Sequence, residues 1–246
     1  KLKLKKMKRF KNLSLFVLNL LILSALMAFV PGDSGDCTMY IASSKGATME
    51  LKNYSRKGKL QNIVRLNISD KTEANGKVML NVDYAYYDKK DKDVKAKGKY
   101  KAVCENGVFK FEFGALTPVA GQQKGKNMKI EMESDYLDIP ANPSVGQTLK
   151  NGTLTMKVQA EGMPNMFNTK IAMTDRKVVG LEKVTTPAGT FDCVKITYNS
   201  EMKMSFIKTR SRTVEWFAKG VGLVRSEFYN KRGKMAGYTI LTKLKK

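Results

Sequence analysis

Four carboxylates crowd one short stretch, Glu131, Glu133, Asp135 and Asp138. Two carboxylates held at a suitable separation are the minimum for acid-base cleavage of a glycan. The spacing speaks against that use, because Glu131, Glu133 and Asp135 alternate with Met128, Ile130 and Met132 and so fall on the solvated face of a strand. The chain contains no histidine. That excludes Ser-His-Asp and Cys-His nucleophiles, His-ligated zinc and imidazole proton transfer. Nothing groups the remaining Lys, Tyr and Cys residues into a catalytic signature, so no catalytic residue, metal or cofactor is expected and the protein reads as a non-enzyme.

Sulfur is the second chemistry. Twelve methionines follow residue 28, and Met202-Lys203-Met204 and Met163-Pro164-Asn165-Met166 have thioether spacings that suit Cu(I). Their alternation with polar residues already accounts for them as inward-facing packing groups. Flexible thioethers also mould to a lipid chain or another apolar guest. Met128, Met132, Met173, Met202 and Met204 are therefore candidate ligand contacts, together with Trp216, the only tryptophan, whose indole N–H needs a partner when buried. Three cysteines leave one over from any pairing. Cys37 and Cys104 are the expected disulfide, tying the N-terminal strand down, and Cys193 reads as a small buried thiol.

Charge supplies a third chemistry. Lys95, Lys97, Lys99 and Lys101 project from one face of a strand about 7 Å apart, a row able to follow a polyanion. The same row is the ordinary protection of an exposed strand edge against aggregation.

The elements that hold these residues repeat with period two. Val78, Leu80, Val82, Tyr84 and Tyr86 alternate with polar residues, and so do Ala96, Gly98, Tyr100 and Ala102. Phe109 and Phe111 follow Asn106-Gly107, a hairpin signal because both residues tolerate positive φ. Later hairpins turn at Thr186-Pro187-Ala188-Gly189, Gly220-Val221-Gly222 and Lys231-Arg232-Gly233. The pattern predicts an all-β, antiparallel domain over residues 37–246, barrel-like or a strongly curved half-barrel, with few or no helices. The longest irregular piece is expected at Leu116 to Lys126.

Residues 1–30 differ from everything after them. Seven basic residues precede Leu13 to Val30, eighteen residues without an ionisable side chain. This is the pattern of an export signal, with cleavage near Ala28 or within Gly32 to Gly35, or of a retained membrane anchor. Without the seven, 38 Lys and Arg still face 22 Asp and Glu, a balance of +16. Outside the cytoplasm the available polyanions are lipid headgroups, lipopolysaccharide and acidic glycans, so nucleic acid is not an expected partner. An integral outer-membrane barrel would need lipid-facing apolar bands, where this chain carries lysine rows.

Thr186-Pro187-Ala188-Gly189-Thr190-Phe191-Asp192-Cys193-Val194-Lys195-Ile196, followed by Glu215-Trp216-Phe217-Ala218-Lys219-Gly220-Val221-Gly222-Leu223-Val224, resembles an exported bacterial family, the domain of unknown function numbered 3108 with its TapB-like relatives, common in Bacteroidetes envelopes. The resemblance is clearest over residues 140–244. It implies an antiparallel, barrel-like fold in the periplasm or on the cell surface and carries over no catalytic residue. The expectation is a non-enzymatic binding or carrier module for an apolar or anionic envelope component. The alternative is a structural partner of another envelope protein without a small ligand.

Overall fold

The structure, a computed structural model, describes residues 37–112, 128–160 and 163–246. The export signal or anchor expected over residues 1–30 and the irregular piece expected at Leu116 to Lys126 lie outside the described residues. Thirteen strands and no helix make up the described elements. They are β1 (Thr48–Ser55), β2 (Leu60–Ala74), β3 (Lys77–Asp88), β4 (Val94–Glu105), β5 (Val108–Glu112), β6 (Met128–Ser134) and β7 (Tyr136–Pro140), then β8 (Gly152–Ala160), β9 (Met163–Thr186), β10 (Gly189–Met204), β11 (Ile207–Ala218), β12 (Gly222–Asn230) and β13 (Met235–Lys245).

All thirteen belong to one antiparallel sheet in the order β6-β8-β9-β10-β11-β12-β13-β1-β2-β3-β4-β5-β7. Alternation of apolar and polar residues gives it one buried face. Ile68, Leu80, Val82, Ala102, Ile139 and Ile196 are at most 1% exposed on that face. Register shifts in β1, β2, β3, β9, β10, β11 and β12 add local bends that curl the sheet toward closure. Gly98 makes room for packing there, because a Cβ at this position would stand 2.4 Å from the Tyr84 hydroxyl.

The strand order puts β6 and β7 on opposite edges of the sheet, yet Asp135 alone separates them in sequence. The chain itself therefore carries one edge to the other. At the joint Asp135 N–H donates to Thr153 O at 2.9 Å, and its carboxylate accepts from Thr153 N–H and Oγ1, each at 2.8 Å. These bonds hold the Asp135 carboxyl below its usual range. Further along the seam, backbone bonds between residues 146–149 and β9 continue the pairing, Leu149 N–H donating to Arg176 O at 2.8 Å, and the Arg176 side chain, 3% exposed, reinforces them. Its Nη1 donates to Asp138 Oδ1 at 3.0 Å and to Lys150 O, and its Nη2 donates to Asp138 O at 3.0 Å. Lys150 N–H also donates to Asp138 Oδ1 at 3.2 Å. A planar guanidinium can satisfy a carboxylate and two carbonyls at once, which an ammonium on a flexible stem does less well.

One end of the barrel is filled by the chain before β1. Met39, Tyr40, Ile41 and Ala42 are all at most 6% exposed. A disulfide between Cys37 and Cys104, with Cα atoms 5.6 Å apart, ties this plug to β4. Gly220 N–H donates to Met39 O at 2.7 Å. Gly222, at φ 112°, packs against the plug, and a Cβ there would stand 3.5 Å from Ile41 Cα. Glycine is the residue that adopts such a φ without strain.

If Arg176 seals the seam, Arg176→Met should leave Asp138 and two backbone carbonyls short of donors. The expected loss is roughly 3 kcal/mol of unfolding free energy, measured by urea denaturation. A loss below about 0.5 kcal/mol, the size of an ordinary surface change, would contradict the assignment.

A candidate ligand-binding lumen

Above the plug the barrel encloses a cavity of about 500 Å³. That volume falls within the roughly 300–1,000 Å³ typical of small-molecule sites. Leu51, Phe111, Phe217 and Leu223 form its floor, since they also border the space of about 40 Å³ beside Tyr40 and Ile41. Val64, Leu137 and Met173 add apolar wall. Tyr54, Gln61, Phe228 and Tyr238 flank the β1–β2 and β12–β13 turns and frame the mouth, where the Tyr54 and Tyr238 rings stack at 5.1 Å.

The polar centre of this lumen is Glu215 of β11. Tyr198 of β10 donates to Glu215 Oε1 at 2.9 Å, and Arg176 exerts its positive charge on the same pair. Glu215 is half-buried and borders the cavity, so its exposed part faces the lumen. Burial pushes its carboxyl up to about 7, against the Tyr198 hydrogen bond and the Arg176 charge, which both pull it down. Burial likewise holds the Tyr198 phenol protonated, well above its ordinary value. A carboxyl of this kind can donate a hydrogen bond below neutrality and accept one above it.

The residues singled out from sequence are dispersed. Met173, 3% exposed, lines the lumen. Met202 and Met204 pair with Thr209 and Ile207 near the β10–β11 turn, apart from it. The side chains of Met128 and Met132 lie outside the described residues. Trp216 is 6% exposed and does not line the lumen; its Nε1 donates to Glu182, and its ring lies under Lys195 and Arg225, 5.0 and 5.9 Å from the centroid. Cys193 is a buried free thiol whose pKa burial raises to about 12, beyond the reach of thiolate chemistry at neutral pH.

Lys95, Lys97, Lys99 and Lys101 are exposed on β4. Lys95 pairs with Asp93 at 3.2 Å and Lys99 with Asp83 at 3.5 Å. Lys97 and Lys99 border an open recess of about 840 Å³ on the outer face, larger than the lumen. Its central charges are paired among themselves: buried Glu50 accepts from Arg65 at 3.0 Å and from Thr242 at 3.0 Å, and Arg65 also holds Asp91 at 2.6 Å. Of the four clustered carboxylates, Glu131 and Glu133 are exposed, while Asp135 and Asp138 serve the seam. The Glu215–Tyr198 pair had no sequence signal, since the two lie seventeen positions apart on strands where only the pairing register brings them together.

Fold and lumen together define a plugged antiparallel barrel with an internal cavity. The chain belongs to the DUF3108-like family, whose profile matches residues 44–241. Two solved structures are similar to it, each with a TM-score of 0.74 and each covering 85% of this chain and 100% of its own. One, from Bacteroides fragilis, is described as an exported protein with a YmcC-like fold and is 24% identical. The other, from Parabacteroides distasonis, is described as a lipoprotein and is 26% identical. No curated protein matches the sequence.

Glu215 provides a pH test. It holds its proton more tightly folded, at about 7, than unfolded, at the ordinary 4.5. Its contribution is complete below the unfolded value and is lost as pH rises through the folded one. Between pH 5 and 8 the wild type should lose on the order of 2 kcal/mol relative to Glu215→Gln, read from paired urea denaturations. Parallel pH profiles for the two proteins would contradict this placement of the carboxyl.

Proposed function

We propose that this protein is a non-enzymatic module of the bacterial envelope that binds an apolar molecule in its lumen and holds or carries it there. The carrying observation is the cavity of about 500 Å³, walled by Leu51, Phe111, Leu137, Met173 and Phe217 and closed below by the disulfide-tied plug. Open space among such side chains forfeits packing that a filled core would keep, so a guest is the economical reason for it. The basic-then-apolar leader and the descriptions of the two solved relatives, one exported and one a lipoprotein, support the envelope location.

The lumen supports an apolar guest better than the lysine row supports an anionic one, because Lys95 and Lys99 already face carboxylates. It also favours a ligand over a purely structural partner. A docking protein would want one continuous apolar patch. The most exposed large apolar side chains, Phe206 at 95% and Leu181 at 61%, sit beyond the end of β10 and opposite Val194 near its start. Ten strand positions, Val194 to Met204, separate those sites, on the order of 33 Å.

Uptake of the apolar dye N-phenyl-1-naphthylamine tests the reading. The wild type should bind it with a fluorescence rise, and Leu223→Trp, which fills the floor, should weaken binding at least tenfold while the β-type circular dichroism persists. A wild type that takes up no dye would overturn the proposal.

A further inference from the structure

The lumen wall is not uniformly apolar. Register places five polar residues side by side across five neighbouring strands: Glu215 of β11 opposes Ser226 of β12, Ser226 opposes Thr239 of β13, Thr239 opposes Asn53 of β1, and Asn53 opposes Asn62 of β2. All five border the cavity. At the usual strand spacing of about 4.8 Å they form a belt roughly 19 Å long around one side of the wall. The facing side carries Phe111, Leu137 and Met173.

Most of the belt is satisfied within itself. Thr239 Oγ1 donates to Asn53 Oδ1, Asn53 Nδ2 donates to Asn62 Oδ1, and Tyr198 donates to Glu215. Ser226 breaks the chain. It is 1% exposed, and its Oγ meets no hydrogen-bond partner among the described residues. A buried hydroxyl left unpaired costs about 1–3 kcal/mol, and alanine would fill the same place without that cost. A serine kept there, between Glu215 and Thr239 and bordering an open cavity, is explained by a partner that arrives with the guest.

We infer that the guest is an uncharged single-chain amphiphile, whose hydroxyl or amide head hydrogen-bonds to Ser226 within this belt while its chain lies against the apolar wall. The inference rests on the binding role proposed above and specifies its ligand class. Charge decides against an anionic head. Glu215 is the ionisable member of the belt, and a carboxylate or phosphate beside it would face either its negative charge or a costly desolvation. Arg176, whose charge reaches Glu215, has Nη1 and Nη2 committed to Asp138 and Lys150 at the seam; its Nε is unpaired among the described residues, but the residue does not border the cavity. A hydroxyl can both donate and accept, which matches a serine flanked by a carboxyl and a threonine.

The test is displacement of N-phenyl-1-naphthylamine by 1-monolaurin, by laurate and by dodecane, on the full chain and on Ser226→Ala. Monolaurin should displace the dye from the wild type at least tenfold better than laurate at pH 8. Ser226→Ala should bind dye and dodecane as before, need about tenfold more monolaurin, and melt no lower than the wild type. Equal monolaurin displacement from both proteins, or laurate competing as well as monolaurin, would overturn the inference while leaving the binding role standing. Failure of the wild type to bind any of the three, or the dye, would remove the binding role itself.

Discussion

One buried cation completes the closure of the sheet. β6 and β7 are edges of the same sheet joined through a single residue, and regular pairing does not run along the whole of that joint. Arg176 supplies the missing donors by reaching from β9 to the carboxylate and carbonyl of Asp138 and to the carbonyl of Lys150. Without it, buried acceptors would stand unpaired at a place where water has little access, which low-dielectric surroundings make costly. Closure in turn makes an interior possible, and the plug decides how much of that interior is packed and how much is left open.

The same cation links the seam to the lumen. Its charge acts on Glu215 and Tyr198, so the group that joins the edges also contributes to the electrostatics of the cavity's polar centre. Burial wins over both that charge and the Tyr198 hydrogen bond, which is why the Glu215 carboxyl stays high. Among its lining residues the lumen thus carries one ionisable carboxyl, Glu215, while on the outer face Glu50 pairs with both Arg65 and Lys243 in the open recess.

Alternation made most of the fold legible. Val82, Tyr84 and Tyr86 declare the inner face of β3, and Asn106-Gly107 declares the β4–β5 turn, where both residues take positive φ. The β9–β10 hairpin at Thr186 to Gly189 is equally plain in the residues. β1 and β2 are harder to see, and the reason is physical. Asn53 and Asn62 put polar groups on the inner face, and a register shift at Asn53/Tyr54 interrupts the alternation, so a period-two reading loses its thread. Ser226, Thr239 and Glu215 conceal themselves in the same way, looking like solvated positions although they border the lumen. Asp138 carries no sign of its role in the sequence because its partner lies thirty-eight residues away. Methionine spacing pointed toward an adaptable lumen, but spacing cannot say how far along a strand the cavity extends, and Met202 and Met204 sit past it while Met173 sits in it.

Native mass spectrometry of the protein, purified without organic solvent from its own envelope, tests whether the proposed guest occupies the lumen. The expected species is heavier than the polypeptide by the mass of one small amphiphile and collapses to the bare polypeptide mass after organic extraction. A bare polypeptide mass from the outset would contradict that occupancy.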